Sequence, residues 1–311
     1  AQKVLELLAI GVPVILKQND QAESWLGKKV MSLLNGIDAE ELKDPTIREK
    51  VSVDLRRAAL GGHSIENRLQ QIRKQSGLSI FREPSVSVIV ATNRPDMTER
   101  IFNTVKQQDH KNLELVLALH GEGFENSYPN FFESDIAVTV LRYPKETIFG
   151  SVLSEASSVA SGEWIAKMDD DDWYGEEHIS DLLLAAGYSD ADLVGKGSEF
   201  VYLAEEDMTI RRDLGDSEVE SRTIGGGAML VKAEIYREIN GWRELSKGVD
   251  IALIDDVVSS GGRVWRTHPF GYLLRRTKSR HTWEVDDKYF LRHADQRWDG
   301  FASELVGVID Q

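Results

Sequence analysis

Short apolar runs alternate with stretches of helical period through the middle of the chain. Val86-Ser87-Val88-Ile89-Val90-Ala91 reads as a strand buried on both faces, the kind found in parallel sheets. Thr92-Asn93-Arg94-Pro95-Asp96 is then a loop, and Thr98 is placed to cap a helix reaching about Gln108. Leu113 to Leu119 and Ala137 to Leu141 read as further strands. Ile148 to Ala160 reads as a helix closed by Ser161-Gly162, and Trp164 to Met168 as a fourth strand. Strand, helix, strand, strand, helix, strand predicts an α/β fold with a Rossmann-like half.

The pattern continues less cleanly on both sides. His178 to Ala186 is predicted helical, and Asp192 to Gly195 and Ser198 to Leu203 are predicted strands. Glu205 to Glu220 is so charged that a mobile excursion is expected. Gly225-Gly226-Gly227 leads into a strand at Ala228 to Val231, followed by a helix at Ala233 to Ile239 that ends at Asn240-Gly241. Asp250 to Ser259 is a further helix. Arg263 to Arg266 is a short strand that Phe270 to Arg276 extends, and the tail from Trp283 to Gln311 is expected as helix and loop. At the other end, Lys3 to Ile10 reads as a packed helix stopped by Gly11, and Val12-Pro13-Val14-Ile15-Leu16 as a buried strand. A short helix at Ala22 to Leu26 and helix-rich stretches at Asp38 to Leu42 and Pro45 to Ala59 follow. Ile65 to Gln75 carries Ile65, Leu69 and Ile72 at helical spacing, and Ser76 to Pro84 reads as a linker.

One stretch breaks the apolar pattern with chemistry. Trp164-Ile165-Ala166 runs into Lys167-Met168-Asp169-Asp170-Asp171-Asp172-Trp173-Tyr174. Four consecutive carboxylates need water, hydrogen-bond donors or a cation. At a strand end they suit a hard divalent ion such as Mn²⁺ or Mg²⁺, which brings phosphate with it. Ligand crevices of open α/β sheets lie at that end of the strands. The plainer alternative is a solvated acidic turn capping a helix that starts near Glu176.

Composition narrows the chemistry. The chain has 311 residues, 41 % of them hydrophobic, and a formal net charge of −15, which argues against a polyanion such as DNA as partner. It has no cysteine, so thiolate metal sites and thiol nucleophiles are out. No apolar run approaches the roughly 18 residues of a membrane span. A cytoplasmic setting is expected, with attachment at a membrane periphery left open. Because position 1 is Ala and the first residues already read as packed structure, the chain is expected to be cut from a longer one.

With these residues in view, 85–283 resembles an inverting GT-A glycosyltransferase of family two. The resemblance rests on the opening strand and its Thr92-Asn93-Arg94 loop, on Ala160-Ser161-Gly162, and on Asp169-Asp170-Asp171-Asp172-Trp173. It rests also on Gly226-Gly227-Ala228-Met229-Leu230-Val231, Gly241-Trp242, and Gly248-Val249-Asp250 where the family has its Glu-Asp pair. Two departures stand out. The second strand ends Leu119-His120-Gly121-Glu122-Gly123 instead of the family's Asp-Asp-Gly-Ser, which contacts the nucleotide base, and Val249 replaces one carboxylate of the pair. Val4-Leu5-Glu6-Leu7-Leu8-Ala9-Ile10-Gly11-Val12-Pro13-Val14-Ile15 resembles the tail of a GT-B half, in which the Glu matched by Glu6 binds the donor ribose. The expected division is therefore an N-terminal, mostly helical α/β remnant, residues 1–80, and a GT-A domain, residues 81–311. The remnant would be inert or a docking collar.

The resemblance implies the roles. Asp169 bonds the ribose, Asp170 joins it in the donor site, and Thr92, Asn93 and Arg94 line the nucleotide pocket. Asp171 ligates the metal, and His281 is either a further ligand or a surface histidine. Asp250 is the general base, or else caps its helix, while Asp255 and Asp256 read as a solvated face. Arg275, Arg276, Lys278 and Arg280 close over a diphosphate or form a solvated loop. Trp173, Trp242 and Trp283 stack on sugar or belong to the core. Gly225, Gly226 and Gly227 let backbone approach sugar or acceptor, or form a bulge. The expected activity is metal-dependent transfer of a sugar from a nucleotide-diphosphate sugar, UDP-sugar favoured, to a glycan or lipid-linked acceptor in polysaccharide biosynthesis. Alternatives are a sugar-phosphate nucleotidyltransferase and a non-catalytic nucleotide-sugar or glycan-binding module. A homo-oligomer or further domains are open.

Overall fold

The computed structural model describes residues 2–16, 22–124, 135–277 and 287–307. They fall into two compact units that divide between Glu83 and Pro84.

The regular elements of the first unit's described residues are all helices: α1 (Gln2–Ala9), α2 (Ala22–Asn35), α3 (Pro45–His63) and α4 (Ile65–Gln75), with a 3₁₀ turn at Glu41–Lys43. Gly11, at φ +78°, ends α1 as its sequence implies. The expected short helix from Ala22 to Leu26 is there, but past a break at Gly27 it resumes to Asn35. Asp44 caps α3, accepting hydrogen bonds from the amides of Thr46 and Ile47 at 2.8 and 3.1 Å, and Pro45 fills the first helical position. Leu8, Leu26, Val30, Leu34 and Leu55 form the core. The strand expected at Val12 to Leu16 is absent, and with it the α/β character of this block. A strand needs a neighbour for its amides and carbonyls, no other described segment here is extended in a ladder, and Pro13 lacks the amide proton. Val14 and Leu16 pack on the helical core instead, leaving Val12 and Ile15 exposed.

The second unit holds β1 (Val86–Thr92), α5 (Thr98–Lys106), β2 (Leu113–His120), β3 (Ala137–Tyr143), α6 (Phe149–Ser158), β4 (Trp164–Met168), β5 (Trp173–Tyr174) and α7 (His178–Ser189). It continues with β6 (Leu193–Lys196), β7 (Phe200–Leu203), β8 (Met208–Arg212), β9 (Val219–Glu220), β10 (Ala228–Lys232), α8 (Ala233–Glu238) and α9 (Val249–Ser259). Last come β11 (Val264–Thr267), β12 (Tyr272–Arg276), α10 (Asp287–Arg292), β13 (Ala294–Asp299) and α11 (Ser303–Val306). The described strands form an eight-stranded sheet, β3-β2-β1-β4-β10-β6-β11-β9, and a five-stranded one, β13-β8-β7-β12-β5. Strands β1 to β4 pair parallel, and β10 enters antiparallel between β4 and β6. Alternation along β1 explains why it is apolar on both faces. Val86, Val88 and Val90 face a core shared with α5 and α7, and Ile89 faces one shared with α6, α8 and α9.

The Ala160-Ser161-Gly162 turn is fixed by β1 and β2. Ser161 donates to Glu114 through its amide, at 2.7 Å, and its hydroxyl, while the Gly162 amide donates to the Ser87 hydroxyl at 2.8 Å. A Cβ on Gly162 would lie 2.7 Å from the Ser87 amide, so only glycine fits.

Four local expectations fail. Thr98 begins α5 rather than capping it, and its hydroxyl donates to the Pro95 carbonyl at 3.1 Å. The charged stretch from Glu205 to Glu220 is no excursion: β7 and β8 form a hairpin whose Thr209 and Ile210 are fully buried, and β9 pairs with β11. The Arg266 guanidinium holds the intervening loop through the Leu214 and Asp216 carbonyls. Strands β11 and β12 do not continue one another but enter different sheets, with Gly271 at φ +79° between them. The tail contains β13, a strand paired with β8, besides its helices. Among the described residues no helix is long and apolar enough to cross a membrane.

Candidate active site

Strand β4 ends at Met168, and the aspartates that follow do not behave as one acidic turn. In the β4–β10 register Ala228 lies opposite Met168, so the glycines before Ala228 run beside the aspartates after Met168. Tyr174 clasps the two segments: its phenol accepts from the Asp169 amide at 2.7 Å and donates to the Gly227 carbonyl at 2.8 Å.

Lys167, on the same face of β4 as Asp169, is buried with 4 % of its side chain exposed. Its ammonium donates to Asp169 Oδ1 at 2.8 Å and to the Gly226 carbonyl at 2.8 Å, and lies 3.3 Å from Asp250 Oδ1. Burial opposes its charge, but Asp169 and Asp250 outweigh that and hold its pKa above the ordinary lysine value. Asp250 stands in the first turn of α9, whose cap is Gly248 at φ +73°; no side chain caps the helix, so capping is not the role of Asp250. Burial raises the Asp250 pKa, Lys167 opposes this, and Asp169 adds to it; the net displacement is upward. The remaining oxygens of both carboxylates lie against glycines. A Cβ on Gly226 would fall 2.1 Å from Asp250 Oδ2, and one on Gly227 2.7 Å from Asp169 Oδ2. These two glycines therefore make room for carboxylates.

Arg94 serves the other side of the run. Its guanidinium takes both oxygens of Asp170, the Nε bond being 3.0 Å, and reaches Asp171 Oδ2 at 2.9 Å. Thr92 donates to Asp170 as well and accepts from the Arg94 amide at 3.0 Å, which shapes the loop after β1. Asn93 is exposed. Asp172 turns inward: Tyr272 donates to it at 2.8 Å and the Arg275 amide at 3.0 Å, and its pKa is pushed well up by burial and then by Asp169 and Asp171. Arg100 donates to the Asp172 and Asp171 carbonyls at 2.7 and 3.2 Å, fixing the backbone of the run.

The structure thus gathers Thr92, Arg94, Asp169, Asp170, Asp171 and Asp250 about the end of β4. His281 lies outside the described residues, as do Lys278, Arg280 and Trp283. Asp255 pairs with Arg222 and Asp256 with Arg243, which leaves neither at the site. Trp242 is core, packed on Tyr236, and Trp173 meets Phe301 edge-on at 6.4 Å. Arg276 is buried over the Phe290 ring, while Arg275 lies over Phe301. Sequence reasoning missed Lys167, Arg100, Tyr174 and Tyr272. Lysine inside an apolar strand, directly before carboxylates, was the available signal for the first.

Among the described residues no group of three or more His, Asp or Glu side chains gathers as a metal site of its own. The donors present still fit a hard cation of the Mg²⁺ or Mn²⁺ kind. Such ions bind through one or two carboxylates and complete their shell with water and substrate phosphates. Asp171, at 16 % side-chain exposure and 2.9 Å from the Arg94 guanidinium, is one carboxylate of that kind.

Residues 87–219 match the model of glycosyl transferase family 2. The fold is similar to that of the mannosyltransferase PcManGT from Pyrobaculum calidifontis in complex with GDP-Man and Mn²⁺, at 14 % identity and TM-score 0.51, covering 70 % of this chain and 67 % of that one. It is also similar to S. aureus TarS 1-349, at 15 % identity and TM-score 0.50, covering 61 % of this chain and 60 % of that one. The TarS 1-349 complex with UDP-GlcNAc aligns at 15 % identity and TM-score 0.50, covering 65 % and 61 %. This chain thus spans about three fifths to two thirds of these proteins. No curated protein sequence matches it. The matched span runs from within β1 to the start of β9 and includes the whole aspartate run, while Asp250 lies beyond it. Residues 87–219 thus resemble a family 2 glycosyltransferase domain, and the α/β fold, with its large mostly parallel sheet, is that of GT-A glycosyltransferases, which supports a glycosyltransferase.

Proposed function

We propose that this domain is a metal-dependent, inverting glycosyltransferase. It moves a sugar from a nucleotide-diphosphate sugar to a glycan or lipid-linked saccharide. The observation that supports it most is the convergence of Asp169 at the end of β4 and Asp250 at the start of α9 on one buried ammonium. On this reading Asp169 is the donor-side carboxylate and Asp250 the proton acceptor, and their shared ion cluster supports it. In a single displacement Asp250 takes the acceptor hydroxyl proton while the acceptor oxygen bonds the anomeric carbon. The bond from that carbon to the diphosphate breaks, its electron pair leaves on the diphosphate, and attack from the opposite face inverts the centre. Asp169 holds the ribose. Thr92, Asn93 and Arg94 line the nucleotide pocket, Arg94 keeping Asp170 in place. Asp171 would hold a divalent ion, which would neutralise charge on the leaving diphosphate.

UDP is the favoured nucleotide: TarS is described with UDP-GlcNAc, and the mannosyltransferase with GDP-Man supplies the competing choice. The His120-Gly121 ending of β2 makes the base-binding corner this chain's own. The unit before Pro84, with a core of its own, takes no part in catalysis on this reading, and removing residues 1–75 leaves donor binding unchanged. The test is transfer and binding with a panel of UDP- and GDP-sugars and Mn²⁺. Transfer that needs Mn²⁺ and inverts the anomeric centre supports the proposal. Tight donor binding without transfer to any saccharide acceptor overturns it in favour of a binding module.

A further inference from the structure

An ammonium group has three protons to donate and no lone pair with which to accept. The three oxygens around Lys167 Nζ come from three separate segments: Asp169 Oδ1 after β4, the Gly226 carbonyl before β10, and Asp250 Oδ1 in α9. Two of its donors are hydrogen-bonded to Asp169 and the Gly226 carbonyl, and Asp250 Oδ1, buried and without a hydrogen bond of its own, sits in the same ion cluster at 3.3 Å. The two carboxylates use matching oxygens on Lys167 and set their other oxygens against Gly226 and Gly227. Without the cation, two like charges in a buried cluster repel, and among the described residues Lys167 is the one ion-pair partner of Asp250.

Resting on the reading of Asp250 as base, we propose that Lys167 is the positioning residue of the transfer reaction. It locks the proton acceptor and the ribose-binding carboxylate into one ion cluster with a fixed geometry, and it touches neither donor nor acceptor. Among the described residues no other cation pairs with both Asp169 and Asp250. The other cations of the site, Arg94 and Arg100, engage Asp170, Asp171 and the backbone of the aspartate run. Lys167 should therefore govern the rate through Asp250 more than donor affinity.

The experiment is a double-mutant cycle of Lys167→Met and Asp250→Asn in the full chain, reading kcat for transfer and the dissociation constant of UDP–Mn²⁺ by calorimetry. Lys167→Met should lower kcat by about 10²-fold, the order of a general-base contribution. Its UDP–Mn²⁺ affinity should change only several-fold, and the double variant should be no slower than Asp250→Asn alone. Should Lys167→Met not fold, Lys167→Gln, whose amide still donates to the Gly226 carbonyl, enters the same cycle. Near-normal kcat in the Lys167 variant beside a slow Asp250→Asn overturns the inference and leaves the base assignment standing. Multiplying effects in the double variant overturn it as well, because Lys167 would then act independently of Asp250. Near-normal turnover of Asp250→Asn itself refutes the base assignment instead.

Discussion

Two cations divide the carboxylates of this site between them, and they do so differently. Lys167 gathers Asp169 and Asp250 from inside the sheet, with 4 % of its side chain exposed. Arg94 gathers Asp170 and Asp171 from a loop, with 24 % exposed. A compact ammonium suits three oxygens converging from three directions, and a flat guanidinium fork suits two carboxylates adjacent in sequence. The difference teaches what each centre is built to do. The lysine centre is buried, so it fixes geometry. The arginine centre is more exposed, and on the proposed reading it is where Asp171 would meet a hard cation.

The largest expected effect breaks the lysine centre at its acceptor-side carboxylate. Asp250→Asn should keep UDP–Mn²⁺ binding by calorimetry and lower kcat by about 10²-fold or more. Comparable loss of nucleotide affinity would place Asp250 in donor binding and erase the distinction between the centres. Next comes the arginine centre. Asp171→Ala should remove the Mn²⁺ dependence of UDP binding, weakening it by about 10²-fold or more, since a direct ligand should cost at least the 10–100-fold of an outer-shell partner. Equal Mn²⁺–UDP affinity in variant and parent would exclude Asp171 as ligand.

A smaller change tests the glycine wall. Gly226 has no positive φ, so alanine is tolerated by the backbone, yet its Cβ would fall 2.1 Å from Asp250 Oδ2. Gly226→Ala should displace that carboxylate and lower kcat about tenfold, scaled from the about 10²-fold that a 1 Å misplacement costs. Melting temperature should hardly move. A variant as fast as the parent would mean the Asp250 rotamer seen here is not the working one.

How much of this was legible in sequence follows from how local each signal is. β1 was readable because burial on both faces writes itself into Val86 to Ala91 alone. The aspartate run announced a charged strand end. It could not announce which cation each member would meet, because Arg94 follows β1 while Gly226 and Asp250 come from later elements. The three glycines suggested close approach, and the structure shows the approaching groups at Gly226 and Gly227 to be the protein's own carboxylates. Val12 to Leu16 failed for the converse reason: an apolar run becomes a strand only beside a partner. β13 was hidden for the same cause, since its partner β8 lies in a stretch whose charge masked Thr209 and Ile210.

The smallest effect is a displacement along the pH axis, and it separates the centres most sharply. As base, Asp250 acts ionised, so kcat/KM should fall as pH drops through its pKa. Burial, with Asp169 adding to it, sets that value above the ordinary carboxylate pKa of about 3.9, so the acid limb should begin at higher pH than a solvated aspartate gives. Removing the opposing cation with Lys167→Met should move the limb further up. Removing the neighbouring like charge with Asp169→Asn should move it down. Arg94→Gln, acting on the other centre, should leave it in place. The linked stability has the opposite sign to unfolding. A carboxyl with a raised folded-state pKa costs stability above that pKa, and the cost is relieved as pH falls towards the unfolded value. Over the acid limb this group therefore favours the fold while activity is lost. A melting temperature that holds across the limb assigns the loss to titration of Asp250, whereas a limb that tracks melting assigns it to unfolding and removes Asp250 as its origin.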